Sequence, residues 1–310
     1  MAVTSISKPK PRPNRFRETL RQMRKNWSAY LFLAPGMIHF LVFTVFAVGF
    51  AFYISFHEWN IIRPEKPFVG LENYMRLFED KRFIRSVINT FTFMIGVPLN
   101  LITGLAVALL LNTKVRGQAL FRTMFYLPVV TPLVVSAIIW KWVYQGDYGL
   151  LNYYLLKFGI IEEKIFWLAD PNLALPALIL MGIWGGTGAT MVIYLAGLQS
   201  IPEDFYDAAK VDGASGWQRL IYITIPLLRP TTFFLLITGI IGAFQIFTEV
   251  YIMTNGGPLN RTSTIGYYLY VNAFRELDMG YATAMAFVLF AMIFTFTIIQ
   301  WKYTRGDVEY

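Results

Sequence analysis

The chain has 310 residues, of which 56% are hydrophobic, 17% aromatic and only 15% charged, and its formal net charge at pH 7 is +8. Soluble globular domains average about 45–50% apolar and about 25% charged residues, so this composition is typical of a membrane protein and excludes a disordered or an ordinary soluble chain. The absence of Cys excludes disulfides, Cys-based zinc sites, iron–sulfur clusters and thiol catalysis.

Six charge-free stretches account for the apolar excess. Each is long enough to cover most or all of a hydrocarbon core about 30 Å thick, since a helix rises about 1.5 Å per residue. The sequence therefore predicts an all-α integral membrane protein with six transmembrane helices. The stretches are residues 30–56, 86–113, 123–140, 171–202, 230–248 and 279–301. Prolines inside the first four predict kinks, which a helix bundle tolerates because neighbouring helices satisfy the freed carbonyl groups.

Lys and Arg residues are divided unequally between the two sides that these helices imply. If the amino terminus is cytoplasmic, 16 of the 27 basic residues lie in cytoplasmic segments and 11 lie outside. The positive-inside rule therefore predicts that both termini are cytoplasmic. Residues 1–28 then form a basic arm, which we expect at anionic membrane lipids rather than on nucleic acid, because a span follows directly. Residues 29–303 form the six-span domain, and residues 304–310 form a cytoplasmic tail.

The predicted external loop, residues 57–85, carries charges of both signs and a short amphipathic pattern. Its apolar residues recur at helical spacing, so we expect a surface helix that has one apolar face. The residues on that face are Leu71, Tyr74, Leu77 and Phe78.

The predicted cytoplasmic loop, residues 200–229, contains signals for a short helix. Ser200 and Glu203 have the spacing of a capping box, so a helix is expected to begin there. Gly213 predicts a left-handed stop, and a second helical stretch is expected over residues 215–224.

Between these signals, one helix face combines a bulky residue with two methyl-sized ones. Phe205, Ala208, Ala209 and Asp212 are spaced i, i+3, i+4 and i+7 and therefore lie on the same side. Such a face can press close to another protein, although the residues alone leave open an ordinary solvated surface helix. The second stretch is expected to carry Trp217, Leu220 and Ile221 back to the membrane before Pro226 begins the next span.

The same loop resembles the EAA loop of permease subunits of binding-protein-dependent ABC importers. The matching residues are Asp207-Ala-Ala-Lys-Val-Asp-Gly213-Ala, followed by Ile223-Thr-Ile-Pro226, with Asp207 in place of Glu and Ile225 in place of Leu. Other stretches are similar to the carbohydrate branch, of the maltose and glycerol-phosphate permease type. They are Phe121-Arg-Thr-Met-Phe-Tyr-Leu-Pro128, Tyr148-Gly-Leu-Leu-Asn152, Ala196-Gly-Leu-Gln-Ser-Ile-Pro202, Thr254-Asn-Gly-Gly-Pro258 and Asp278-Met-Gly-Tyr-Ala282.

The resemblance covers roughly residues 30–303 and implies the ABC type I importer permease fold in a bacterial or archaeal cytoplasmic (inner) membrane. It implies half of a translocation pathway for a sugar or oligosaccharide. It also implies three partners: a second permease subunit, a dimer of cytoplasmic ATP-binding subunits, and an extracytoplasmic sugar-binding protein. The chain has no G-x-x-x-x-G-K-[ST] sequence, so ATP and Mg are expected on the partner ATPase, and the chain itself is expected to be neither an enzyme nor the holder of a cofactor.

From the pattern and the resemblance together, we assign ATPase coupling to one set of residues in the 200–229 loop. Alanine methyl groups allow close approach, and glycine permits the sharp turn that holds the helix as a rigid lever. The residues are Glu203, Phe205, Asp207, Ala208, Ala209, Asp212 and Gly213.

Substrate contacts are expected from polar and aromatic side chains within the spans. Glu249 is the only acid within reach of the fifth span, one turn beyond Gln245, and both side chains can hydrogen-bond sugar hydroxyls. An equal alternative places Glu249 at the outer surface. Trp184 could stack on a sugar ring, and the glycines of the following Gly185-Gly-Thr-Gly188 either widen a passage or admit close helix packing, which we favour.

Other functions fit the sequence less well. His39 and His57 have no second ligand at metal-binding spacing, so no metal site is expected. A self-sufficient secondary transporter for a small polar solute is the alternative to a permease subunit, and a membrane enzyme is the third class. The sequence leaves the sugar and the pairing of permease subunits open.

Overall fold

The computed structural model describes residues 23–113 and 116–304, and these residues divide into two units at Tyr53 and Ile54. The predicted basic arm up to residue 22 and the tail from residue 305 lie outside the described residues. Within the described ranges the regular structure is helical, and extended pairing is limited to isolated bridges, His57 with Phe68 and Asn60 with Asp278.

Helix α1 (Trp27–Ser55) is the long helix of the first unit and ends two residues into the second. Its two α-helical sections, Trp27–Phe40 and Ala47–Ser55, are joined by a π-helical section, Leu41–Phe46. Pro35 lies inside the first section. This helix corresponds to the first predicted span.

The second unit is built from helices that follow one another through short connections. In chain order they are α2 (Glu72–Glu79), α3 (Lys81–Phe93), α4 (Gly96–Leu111), α5 (Gln118–Val130), α6 (Leu133–Val143), α7 (Leu150–Lys157), α8 (Ala174–Gln199), α9 (Glu203–Val211), α10 (Gly216–Leu227), α11 (Arg229–Phe244), α12 (Thr248–Met253), α13 (Ile265–Tyr270, continued by a π-helical section Val271–Arg275) and α14 (Met279–Thr304).

Among the described residues, four helical segments are long and apolar enough to cross a membrane, or up to six if each of two bent pairs counts as one span. The four are Trp27–Ser55, Lys81–Leu111, Ala174–Gln199 and Met279–Lys302. The bent pairs are α5 with α6, at 99°, and α10 with α11, at 63°. All six predicted stretches fall on these segments, while the number that cross a membrane and the positions of the termini stay predictions.

The third predicted span, residues 123–140, bends by 99° at Thr131 and Pro132, inside the stretch where the sequence predicts a proline kink. Thr131 has an extended backbone (ψ 127°), which is the conformation that a following proline imposes. The fifth predicted span, residues 230–248, is shorter than expected, since α11 ends at Phe244 and α12 begins at Thr248. Proline and helix-end geometry therefore divide stretches that hydropathy alone reads as continuous.

The contact of α4 with α8 combines small residues with a polar clamp. A Cβ atom on Gly104 would lie 2.4 Å from Thr190 Cγ2, so the two helices touch where Gly104 has no side chain. Nearby, the side-chain amide of Asn100 donates a hydrogen bond to the backbone carbonyl of Ile183 (3.0 Å). The Thr190 hydroxyl donates to Asn100 Oδ1 (2.6 Å). Apolar helices gain specific association from such small residues and internal hydrogen bonds.

At the α2 end of the unit, the Asp80 carboxylate joins three helices. It caps α3 by accepting from the Arg82 amide (2.8 Å), and it accepts from the hydroxyls of Tyr268 and Tyr281, both at 2.7 Å. Burial by itself raises the pKa of the Asp80 carboxyl, but these hydrogen bonds to its charged form outweigh burial and lower its pKa below the ordinary value.

The predicted apolar face of α2 is divided in the structure. Leu77 is buried, and Tyr74 is half-buried with its hydroxyl 2.7 Å from that of Ser55. Leu71 and Phe78 are exposed instead. The helix itself is confirmed, but only part of its apolar face packs against the rest of the unit.

Asp80 provides a pH-dependent test of this junction. Because its pKa is lowered on folding, its carboxylate stabilises the fold above the ordinary pKa, near 3.8, and that stabilisation is lost as pH falls through the lower folded pKa. We expect Asp80→Asn to lower the thermal unfolding midpoint near neutral pH, and the gap from the parent chain to shrink on acidification. Asp147→Asn serves as the control, because Asp147 is exposed and its carboxylate lies 3.6 Å from the Lys164 ammonium. A gap for Asp80→Asn that stays constant from pH 7 to pH 3 would contradict the assignment.

Candidate functional sites in the 200–229 loop and around Glu249

Helix α9 begins where the sequence predicts, but not through the predicted capping box. The Ser200 hydroxyl donates back to the Gly197 carbonyl (2.7 Å) because Ser200 still has the helical backbone of the α8 end. The residue before α9 is Pro202, and no side chain caps the helix. The capping box at Ser200 and Glu203 is therefore wrong.

A capping box does form at the start of α10, which the sequence analysis missed. The backbone N–H of Gln218 donates to Ser215 Oγ (3.3 Å), and the backbone N–H of Ser215 donates to the side-chain oxygen of Gln218, Oε1 (2.7 Å). The signal was present as Ser-x-x-Gln, one of the spacings that define this motif. The start of α10 is therefore fixed by two side chain–backbone hydrogen bonds.

Gly213 ends α9 as predicted, with a left-handed backbone (φ +77°). The Ala214 amide donates to the Ala209 carbonyl (2.8 Å), and the Gly213 amide donates to the Lys210 carbonyl (3.1 Å). These two bonds are the Schellman pattern, which satisfies carbonyl groups at the helix end. The turn after α9 is therefore a specific structure rather than an open loop.

The face of α9 that carries the predicted coupling residues points away from the rest of the unit. Phe205, Ala208 and Asp212 are exposed, and Ala209 is half-buried. The opposite side is fixed by Tyr206, whose hydroxyl lies 3.0 Å from Thr224 Oγ1. The structure thus places Phe205, Ala208 and Asp212 on one exposed face. Glu203 and Asp207 lie about half a turn away, on the side that lines a cavity with Tyr206.

Other apolar residues of the loop are also exposed, beyond those that the spacing indicated. Val211 is 88% exposed and Trp217 is 69% exposed, so Trp217 does not pack against the described bundle. Glu203 and Asp207 line a cavity of about 660 Å³ between α9 and the end of α4. Large exposed apolar side chains beside such a cavity are typical of a protein-interaction surface.

Glu249 lies where two cavities meet. One, of about 430 Å³, is lined by α3, α4, α8 and α11, and the other, of about 530 Å³, is lined by the α5–α6 break and α8. Gly182, Gly186 and Glu249 line both cavities. Among the described residues that line either cavity, Glu249 is the one with an acidic side chain, and none has a basic one.

The predicted substrate residues are only partly brought together. Trp184 lines the second cavity with Glu249. Its ring packs edge-on against the ring of Trp140, with 5.6 Å between the ring centroids. Gln245 is exposed, and it is absent from the described lining of both cavities. The expected one-turn spacing of Gln245 and Glu249 is wrong, because α11 ends at Phe244, just before Gln245, and Glu249 belongs to the separate helix α12.

The glycine cluster after Trp184 serves both of the uses that the sequence left open. A Cβ atom on Gly188 would lie 2.2 Å from the Phe125 carbonyl oxygen, and one on Gly186 would lie 2.7 Å from Asn100 Nδ2. At Gly185, by contrast, a Cβ atom would meet nothing within 4 Å. Two of these glycines permit close packing, and the third leaves open space beside a cavity.

Within residues 23–113 and 116–304, no group of three or more His, Cys, Asp or Glu side chains could hold a metal ion. The structure is thus that of a helical protein whose long apolar helices are suited to a membrane, with two cavities that share Glu249 and an exposed helical loop.

Comparison with known proteins identifies the family. Residues 100–304 match the family described as "binding-protein-dependent transport system inner membrane component", and the chain belongs to that family. The probable ABC transporter permease protein YesP of Bacillus subtilis is 40% identical over 296 residues, which cover 94% of each chain. The trehalose/maltose transport system permease protein MalF of Thermococcus litoralis is 36% identical and covers 89% of this chain and 93% of its own.

A third relative and a solved structure extend the comparison. The lactose transport system permease protein LacF of Rhizobium radiobacter is 36% identical over 90% of this chain and 94% of its own. A bacterial ABC transporter involved in the import of the acidic polysaccharide alginate has a chain of the same fold, with a TM-score of 0.82. The match covers 94% of this chain and 100% of that one at 23% identity, so it shows the ABC importer permease fold.

Proposed function

We propose that this chain is the transmembrane subunit of an ATP-driven importer and forms half of the translocation pathway for a sugar or oligosaccharide. The observation that carries the proposal is the exposed helix α9, which ends in a fixed turn at Gly213 and bears the motif from Asp207 to Gly213. Relatives named for trehalose/maltose and lactose transport support a sugar as substrate.

The proposal includes partners that supply what this chain lacks. A dimer of cytoplasmic ATPase subunits binds ATP and Mg, and one of them receives the exposed face of α9. A second permease subunit completes the pathway, and an external sugar-binding protein delivers the substrate. The chain crosses the cytoplasmic membrane six times, with each bent helix pair forming one span and both termini on the cytoplasmic side.

The physical role of α9 in this proposal is that of a rigid contact. Phe205 offers a bulky apolar anchor, while Ala208 and Ala209 allow a partner surface to approach the helix closely. Glu203, Asp207 and Asp212 place negative charge on the same loop. The exposed pair formed by Lys210 and Asp207, at 2.8 Å, contributes at most about 1 kcal/mol, so its loss on docking costs little.

Reconstitution separates the proposed subunit from a transporter that works alone. The chain in vesicles should accumulate no sugar unless the ATPase, the second permease subunit and the binding protein are present with ATP. Uptake by the chain alone in response to an ion gradient would identify a secondary transporter instead.

The turn at Gly213 gives the first prediction for coupling. A β-branched residue at φ +77° costs about 1–3 kcal/mol in backbone strain, so Gly213→Val should displace the end of α9. We expect ATP hydrolysis by the assembled complex to continue while sugar uptake falls at least severalfold. The ratio of sugar taken up to ATP hydrolysed measures this change.

Two control variants isolate the effect of the turn. Gly213→Asn introduces a residue that tolerates a left-handed backbone, so this variant should retain most of the sugar uptake. Gly159→Val makes the same change at another glycine with positive φ (+67°) and open space around it, outside the 200–229 loop. Normal uptake per ATP in Gly213→Val, or equal loss in Gly159→Val, would contradict a coupling role for Gly213.

Glu249 gives a prediction for substrate binding. If its carboxylate accepts a hydrogen bond from a sugar hydroxyl, Glu249→Gln keeps an acceptor oxygen but replaces a charge-assisted bond with a neutral one, which costs about 1 kcal/mol. We therefore expect the sugar concentration for half-maximal uptake by the reconstituted complex to rise about fivefold. The matched control is Glu79→Gln, which makes the same change at an exposed glutamate of α2. It should leave the sugar concentration for half-maximal uptake unchanged. Unaltered uptake in Glu249→Gln would favour the alternative in which Glu249 has no contact with substrate.

A further inference from the structure

Helix α2 has an exposed apolar ridge that neither the fold nor the proposed transport function uses. Leu71, which immediately precedes α2, and Met75 and Phe78 within it are spaced i, i+4 and i+7 and are 61%, 60% and 81% exposed. Helical geometry therefore places them on one side. We call these three residues the outer ridge. Glu72 and Glu79, which are also exposed, lie roughly a quarter of a turn away on the polar side.

The rest of α2 is tied down, so the helix cannot rotate to bury the outer ridge. The side-chain amide of Asn73 donates hydrogen bonds to the backbone carbonyls of Ser55 (2.9 Å) and His57 (3.0 Å), and Leu77 is buried. Arg76 forms an ion pair with Asp278 at 2.7 Å. These contacts fix the inner side of α2 and hold the outer ridge facing away from the rest of the unit.

The position of α2 along the chain places the outer ridge at a membrane boundary. A single residue, Asp80, joins α2 to α3, which starts the candidate span Lys81–Leu111. That span has 31 residues, so at about 1.5 Å per residue it is longer than a hydrocarbon core of about 30 Å. Its charged residues all precede Ser86, which puts the hydrocarbon boundary about two turns from the end of α2.

Two features of the adjoining surface indicate what covers the outer ridge. Exposed apolar residues also recur along the adjoining span at helical spacing, as expected of a helix that faces lipid. Those residues are Ile84, Ile88, Ile95, Leu99 and Ile102. At the junction, Lys81 and Arg82 are exposed, and cationic side chains at this level complement lipid phosphate groups.

We propose that the outer ridge lies in the headgroup and upper acyl region of the bilayer, so that α2 is an interfacial anchor that lies along the membrane surface beside the span. A helix with an apolar side and a charged side is suited to this position. The anchor would fix the height of the α2 end of the unit relative to the lipid. The inference depends on membrane insertion of α3 and α4 and does not depend on the transported substrate or on ATPase coupling.

The absence of Cys allows a direct test with single labels on the full-length chain. Leu71→Cys, Met75→Cys and Phe78→Cys each carry a nitroxide on the outer ridge, and Glu72→Cys and Glu79→Cys are controls on the same helix. The chain is reconstituted in vesicles of phosphatidylcholine and phosphatidylglycerol. Spin relaxation then compares collisions with oxygen, which enters lipid, and with a water-soluble nickel chelate.

We expect a severalfold higher ratio of oxygen to nickel collisions at each ridge position than at Glu72 and Glu79. Equal ratios at all five positions would overturn the proposal, since the outer ridge would then face water. Labels that are shielded from both reagents would also overturn it, because a protein partner rather than lipid would cover the ridge. Thermal unfolding midpoints matched to that of the parent chain exclude misfolding as the cause of any pattern.

Discussion

The close contact of α4 with α8 is the interaction on which the second unit depends. Gly104 lets the helices touch at Thr190, and the Asn100 side chain bonds across the same interface. Without water to compete, helices in an apolar surrounding associate through such packing and through internal hydrogen bonds. Any side chain at Gly104 would have to displace Thr190, so the spacing of the two helices is set by this position.

The same contact also forms the wall of a cavity. The cavity of about 430 Å³, one of the two that Glu249 lines, is also lined by Asn100, Thr190 and Gly186. Small residues therefore have two consequences here: where two helices meet they permit contact, and where they face open space they leave room for a ligand. Gly186 has both consequences, since it permits contact with Asn100 and also lines both cavities, whereas the neighbouring Gly185 has only open space around it.

Breaks in the helices matter as much as the helices do. Pro132 ends α5 by forcing an extended backbone at Thr131, and the resulting 99° bend brings the broken segment to the second cavity. In the 200–229 loop, the turn at Gly213 and the capping box at Ser215 fix two short helices relative to each other. A short helix is marginal alone, so these defined ends and the contact of Tyr206 with Thr224 keep α9 in one position.

Much of the candidate site could be predicted from local signals in the sequence. The spacing of Phe205, Ala208 and Asp212 identified an exposed face, and Gly213 identified its end, because helical periodicity and a left-handed turn depend on near neighbours in the chain. The error at Ser200 arose from the tertiary extent of α8, which holds that residue in its last turn. The relation of Gln245 to Glu249 failed for a similar reason, since hydropathy does not reveal where α11 ends.

The sequence by itself determined the helical class, the apolar stretches, the ends of α9 and the family to which its motifs point. Those features follow from composition, periodicity and the backbone preferences of glycine, all of which are local. Only the tertiary structure decided that Glu249 lies between two cavities, that Gly185 and Gly186 have different roles, and that α2 exposes Leu71 and Phe78 while burying Leu77. These outcomes depend on which surfaces of distant helices meet, and that choice is made by packing between residues far apart in the chain.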